Sequence, residues 1–390
     1  MNQDSLSINL DLNLEEIIDK FYADYIIEPD GSAKKDIKIK VYADGSKYEG
    51  ELEGDKKHGK GIYMYTNNDK YFGDWREDVF EGFGIYLFEN QDYYYGQLND
   101  GKKHGQGVYK FFNGNMYSGQ WAFNRKNGKG VFINAETGGK YEGEWKENEK
   151  HGYGKFIYPN GDIYEGEWKR SKKNGRGVYF FNSGTKYDGD WLDNKANGKG
   201  TKLYYNGDVY TGYFKDNKKE GYGTYIYKEE DGSSSKYEGQ WLNDLKDGKG
   251  VYKYSNGDVY EGEWVEDKKE NSGTYEYKSG AKYDGKWKND KRHEVGIMIY
   301  PNKDTYEGEW FNDNRHGWGK YSFNNGNTYD GEWVNDKKHG KGTYIWYFEE
   351  GKKTIYSGNF RNDRMNGTGE LINDAGVAQT MHFRDDIPVM

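Results

Sequence analysis

The chain has 390 residues and a formal charge of -9, from 57 basic and 66 acidic side chains, a balance that disfavours nonspecific binding to nucleic acid or to an anionic membrane. It contains no cysteine, which excludes disulfides, thiolate metal sites and cysteine nucleophiles, and its 33% apolar content is low for a thick aliphatic core. Its 40 Tyr, 18 Phe and 12 Trp argue against disorder and for burial through rings in thin layers.

Residues 1–47 differ from the rest and are expected to form an N-terminal cap or a docking segment. Leu6, Ile8, Leu10, Leu12 and Leu14 alternate as in a half-buried strand. Leu14, Ile17, Ile18, Phe21, Tyr22 and Tyr25 then follow helical spacing, with Asn13 and Glu16 placed as a capping pair and Pro29-Asp30-Gly31 as the stop. Ile37, Ile39 and Val41 predict a leading strand that turns through Asp44-Gly45. No apolar run of membrane-spanning length and no signal-peptide core occurs, and a soluble protein of the cytoplasm or cytoskeleton is expected.

From residue 48 to about 373 the chain repeats itself. Tyr-x-Gly recurs at regular spacing, its tyrosine at 48, 71, 94, 117, 141, 164, 187, 210, 237, 260, 283, 306, 329 and 356, and such a period marks an array of small units. Four residues after the tyrosine comes a bulky residue, tryptophan in ten units; thirteen after it comes a glycine, usually the second of Gly-x-Gly, followed by alternating rings. Each unit therefore reads as a β-hairpin with tyrosine, glycine and tryptophan on one face and mostly polar residues on the other. The fold class expected is all-β, an elongated single-layer antiparallel ribbon of consecutive hairpins, twisted or curved into a trough. The glycines have two readings, as space for a ring lying across the backbone or as a bend between hairpins. Extra residues near 229–232 and 348–351 are expected to lengthen hairpin loops without disturbing register. Asn271 and Glu294 replace the first glycine of the pair and mark two irregular units. Residues 374–390 form a C-terminal cap or tail, in which Met381, Phe383, Ile387 and Val389 close the open edge.

Gly-x-Gly lacks the lysine and helix of a P-loop and the third glycine of a dinucleotide site, so no cofactor is expected. Six of the seven histidines fall ten residues after a unit's tyrosine, a spacing suited to turn or edge hydrogen bonds and unsuited to one metal ion. The carboxylates read as a solvated face, and no catalytic residue is assigned. The functional candidate is the ring stripe, either self-buried or open as a partner-binding groove: Tyr71, Trp75, Tyr117, Trp121, Tyr141, Trp145, Tyr164, Trp168, Tyr187, Trp191, Tyr260, Trp264, Tyr283, Trp287, Tyr306, Trp310, Tyr329 and Trp333.

Lys140-Tyr141-Glu142-Gly143-Glu144-Trp145, continuing through His151-Gly152-Tyr153-Gly154 to Pro159-Asn160-Gly161, resembles the membrane occupation and recognition nexus (MORN) repeat. Leu52 and Leu98 depart from its tryptophan. The resemblance implies a non-enzymatic scaffold. A chain made almost wholly of such repeats is most similar to radial spoke head proteins of the axoneme, which implies axonemal or cytoskeletal protein partners, self-association through ribbon edges or faces, and residence in a cilium or flagellum. The alternative it implies is a tether of the cytoskeleton to membrane phospholipid.

Overall fold

The computed structural model describes residues 13–389. By internal contacts the chain divides into two compact units, Met1–Lys195 and Ala196–Met390, with the boundary inside the repeat that begins at Tyr187.

In the first unit, helix α1 (Leu14–Phe21) begins where expected, with Asn13 Oδ1 accepting from the Glu15 N–H and Asn13 Nδ2 donating to Glu16. A π-helical turn, Tyr22–Ile26, continues it, and the path ends before Pro29. The alternation at Leu6–Leu12 lies outside the described residues. The leading strand β1 (Lys38–Val41) pairs antiparallel with β2 (Lys47–Glu53), and β3 (Lys56–Met64), β4 (Lys70–Arg76) and β5 (Val79–Leu87) follow in hairpin succession. The pattern continues to the strand Lys186–Leu192. The second unit repeats it from the strand that ends at Leu203 to Ile387–Val389.

The hairpin at Tyr164 shows why the motif has its spacing. Strands Ile163–Lys169 and Lys172–Phe180 are joined by Arg170 and Ser171, both left-handed at φ 50° and 60°, the two-residue turn whose twist matches that of the strands. The Tyr164 ring lies across two glycines, Gly166 on its own strand and Gly177 opposite, and a Cβ on either would run into the ring or its hydroxyl. Its hydroxyl donates to the Glu167 carbonyl at 3.0 Å. Gly175, the first of Gly-x-Gly, has φ +73° and sits where the register shifts, with Gly166 opposite Gly177 but Trp168 opposite Lys173. The first reading of the glycines holds at Gly166 and Gly177, which make room for the ring; Gly175 makes a bulge within the hairpin, where a bend between hairpins was expected.

The two insertions leave the register undisturbed, as expected, but lengthen the strands and not the loops. Lys218–Lys228 grows to 11 residues and Ser234–Leu242 to 9, pairing through Lys228 with Ser234, while the loop keeps its ordinary bond, Glu229 N–H to the Ser233 carbonyl. The same holds for Lys337–Tyr347 and Lys353–Arg361. Four added residues give two to each strand; an even increment leaves every side chain on its original face. Asn271 and Glu294 keep left-handed conformations, φ 55° and 54°, and the register shift stays in place in both repeats.

At the C-terminal end, strand Ala378–Arg384 continues the repeat, and Phe383 takes the tryptophan position, 4% exposed and edge-on to Tyr356 at 5.3 Å. The last strand, Ile387–Val389, is short and carries Pro388. Both features suit an edge that does not recruit a further strand.

Candidate functional site

The ring stripe is self-buried. The eighteen residues named above are at most 6% exposed, and the stripe tyrosines at 71, 117, 141, 164, 260, 283, 306 and 329 are fully buried. Each tryptophan stands edge-on between two tyrosines: Trp168 is 5.2 Å from Tyr164 at 87° and 5.4 Å from Tyr141 at 84°. This edge-to-face order suits the ring quadrupoles. Its Nε1–H donates to the Gly154 carbonyl of the preceding hairpin at 3.0 Å. The same bond recurs from Trp121 to Gly107, Trp264 to Gly250 and Trp333 to Gly319.

What closes the stripe is a cation in most repeats, with Phe80, Ala196 and Met365 at the equivalent position in the others. The Lys173 Nζ lies 4.3 Å from the ring centres of Tyr179 and Trp191 and 5.5 Å from that of Tyr164, leaving the residue 9% exposed. Lys103 and Lys150 occupy equivalent cages, against Trp121 and Trp168. Burial lowers the ammonium pKa of Lys103, Lys150 and Lys173 to about 8. In the second unit Arg292 and Arg315 take the position, each 4.3 Å from a tryptophan ring and bonded to Asp313 or Asp336. The rings supply the negative face that keeps these cations in place.

Two hydrogen-bonded staples join successive hairpins. At the turn end, the Asn194 N–H donates to the Lys173 carbonyl while Asn194 Oδ1 accepts from the Lys173 N–H at 2.8 Å. Asp267 makes the same pair with Lys246, and Asp336 with Arg315. At the loop end, Asp162 accepts from the Tyr179 hydroxyl at 2.7 Å and from the Asn182 N–H at 2.8 Å. Burial alone pushes the Asp162 carboxyl up, but these bonds and the Asn160 amide together hold it below the usual range. The outward carboxylate three residues after the tyrosine is also employed: Glu167 accepts the Arg176 N–H at 2.9 Å, supporting the bulge.

His104, His293 and His316 depart from expectation. The Nδ1 atoms of His104, His293 and His316 are buried without a hydrogen-bond partner, and their rings pack instead, His293 5.2 Å and His316 5.7 Å from Phe311. Among the described residues no group of three or more His, Cys, Asp or Glu is placed to hold a metal ion.

The accessible surface is the opposite, outer face. The middle residue of Gly-x-Gly projects from the bulge, and at this position Tyr153, Tyr222, Val295 and Trp318 are 54–57% exposed. Their backbone is fixed from beneath; the Tyr153 and Trp318 N–H groups donate to Glu144 and Glu309. Tyr222 also extends its hydroxyl to Glu238 at 3.2 Å. Sequence reading passed over this position because its residue type changes from unit to unit: Lys60, Phe83 and Gln106 occupy it in the first three. The signal available was its fixed place between two glycines.

The MORN repeat family model matches fourteen segments, 48–70, 71–93, 94–116, 117–135, 141–163, 164–186, 187–209, 210–231, 237–259, 260–282, 283–305, 306–328, 329–347 and 356–374. A search of curated proteins returns no match. Among solved structures, one titled "Streptogramin B lyase structure" is 11% identical over 75% of this chain and 89% of that chain, with a TM-score of 0.12, too low to bear on fold or function.

Proposed function

This chain belongs to the MORN-repeat family, and on that premise we propose that it is a structural scaffold of a motile cilium or flagellum, within the radial spoke head, holding partner proteins on its outer face. The repeat is a structural module without catalysis of its own, and its families serve protein or lipid interaction; the axonemal setting rests on the likeness of a chain built almost wholly of these repeats to spoke head proteins. The observation that carries the protein-binding reading is the contrast in accessibility: the ring stripe is closed by its own cations, while Tyr153, Tyr222, Val295 and Trp318 stand exposed on rigid bulges. Rigid aromatic anchors lose little conformational entropy on binding. Outer-face cations alternate with carboxylates, Lys249 opposite Glu263 and Lys320 opposite Glu307, which favours protein over an anionic lipid surface.

Photo-crosslinking side chains installed separately at Trp318 and Trp310 test the reading in cells. Adducts with axonemal proteins at position 318, and none at 310, are expected. Adducts confined to membrane or cell-division proteins would sink the axonemal assignment, and lipid adducts alone would sink the scaffold itself.

A further inference from the structure

The first strand of the array stands where a repeat's second strand belongs. β1 meets β2 with Lys40 opposite Tyr48 and Lys38 opposite Gly50. This is the register in which β3 meets β4, Tyr63 opposite Tyr71 and Gly61 opposite Gly73. β1 is therefore the second half of a hairpin. Among the described residues no strand supplies the first half: β1 packs on β2, and none pairs with its other edge.

The two edges of β1 differ. The Tyr42 N–H donates to the Ser46 carbonyl at 2.9 Å, which fixes the order of bonded pairs. In an antiparallel ladder bonded and non-bonded pairs alternate, so Lys38 and Lys40 turn their backbone groups to β2, and Ile39 and Val41 turn theirs to the open edge. The side chains of Ile39 and Val41 are also 62% and 68% exposed, on the outer face. An edge with free N–H and C=O groups beside apolar side chains is a template for a further strand. The C-terminal edge is a poorer template, being three residues with a proline among them.

Shape and charge select the occupant. In a complete repeat the tyrosine of the first strand lies across a glycine on each strand, as Tyr48 does over Gly50 and Gly61. Lys38 holds the place of Gly61, so a repeat strand, with its ring, does not fit here. Nor does a second β1: the registers that pair Ile39 with itself or with Val41 set lysine against lysine. Lys40 Nζ donates to the Asp55 carbonyl at 3.0 Å, and neither Lys38 nor Lys40 is ion-paired among the described residues.

We infer that β1 receives an extended segment of a partner protein as the missing strand, with apolar, acidic, apolar and acidic residues in turn opposite Val41, Lys40, Ile39 and Lys38. Backbone bonds to Ile39 and Val41 hold it, its apolar side chains lie beside theirs on the outer face, and its carboxylates meet the two lysines on the ring face. This end site is separate from the outer-face anchors of the later repeats, and its test does not depend on the cellular setting.

Two capped synthetic peptides, identical but for a Val-Glu-Val-Glu or a Val-Lys-Val-Lys core, probe the full chain by fluorescence polarisation. The acidic peptide should bind at least about tenfold more tightly and should slow hydrogen exchange at Ile39 and Val41. Ile39→Pro removes only an outward N–H, so it should abolish binding and leave the melting temperature unchanged. Lys38→Glu, at an exposed side chain, should reverse the preference between the peptides, and it carries the test should the proline disturb the fold. Equal affinity for the two peptides overturns the inference, as does binding that survives both substitutions. So does protection that appears at Ile387–Val389 in place of β1. Sedimentation of the chain alone adds one more check: a dimer that Ile39→Pro abolishes would make the occupant a second copy and overturn the assignment to a partner.

Discussion

Trp310 and Trp318 belong to one hairpin and face opposite ways. Trp310 is 3% exposed, edge-on to Tyr306 and Tyr283 at 5.1 and 5.4 Å, capped by Arg292, and bonded through Nε1–H to the Gly296 carbonyl. Trp318 is 54% exposed, its backbone N–H donating to Glu309. The ring face repeats one residue set because the rings must match a glycine beneath, a tyrosine beside and, in most repeats, a cation above. The outer face demands only a backbone conformation from its middle position, so that side chain is free to vary. Constancy along the array therefore marks packing, and variation marks the surface on which recognition is built.

Alanine substitution breaks this comparison most directly. Trp310→Ala removes two edge-to-face contacts, a hydrogen bond and one wall of the Arg292 cage, and should lower unfolding free energy by about 3–5 kcal/mol. Trp318→Ala should change it by less than about 0.5 kcal/mol while weakening partner capture. Urea unfolding followed by circular dichroism measures both. Equal losses from the two variants would mean that the outer tryptophan is also a packing residue.

The hairpins, their faces and the ring stripe were legible because each depends on spacing within one unit. The period-2 alternation of Tyr164, Gly166 and Trp168 declares a strand face without coordinates. The cage was not legible. Lys173 looked like a polar connection residue, since one of its ring partners, Tyr179, lies six residues on along the same strand and the other, Trp191, belongs to the next repeat. The same is true of Asn194, a turn residue by letter whose side chain reaches the preceding hairpin at Lys173. Contacts between repeats require knowing how far each turn end lies from its neighbour, which no local pattern states. The cluster of Ile62, Phe72 and Ile85 beneath the N-terminal helix was hidden for the same reason, because each appears singly between a tyrosine and a glycine of the ring face, on separate strands.

The caged cations give the ring face a pH signature that the outer face lacks. Lys103, Lys150 and Lys173 titrate near 8 in the folded chain, against an ordinary 10.5, because of burial. Between about pH 8 and 10.5 the unfolded chain therefore holds more protons, and stability rises with pH. Burial shifts the stripe tyrosines the other way: Tyr141 and Tyr164 lie well above the ordinary 10.0. Above pH 10 the unfolded chain loses phenolic protons that the folded chain keeps, so stability falls. A maximum between pH 8 and 10 is expected in urea midpoints recorded from pH 7 to 11. Lys173→Met should remove its share of the rise, on the order of 1 kcal/mol after discounting for solvent contact, and leave the alkaline fall intact. A profile unchanged by the substitution would place the rise elsewhere.

The smallest effect tests the bulge where the two faces meet. Its first residue must be left-handed, and glycine supplies this in most repeats at little cost, as at Gly175 and Gly317, φ 73° and 62°. Glu294 holds φ 54° with a full side chain, a conformation that costs about 1–2 kcal/mol, part of which glycine's greater unfolded-state freedom would take back. Glu294→Gly should therefore raise stability by about 0.5–1 kcal/mol in the same urea assay. Asn271→Gly should change it less, because asparagine tolerates the left-handed region and its Nδ2 donates to Glu263 at 3.2 Å. The Glu294 repeat also carries Lys286 where most carry a carboxylate or amide beneath the bulge. A midpoint that falls in Glu294→Gly would show that the glutamate contributes an interaction of its own beside Lys286, and the double variant Lys286→Glu with Glu294→Gly, which restores the usual pair, should then recover the loss.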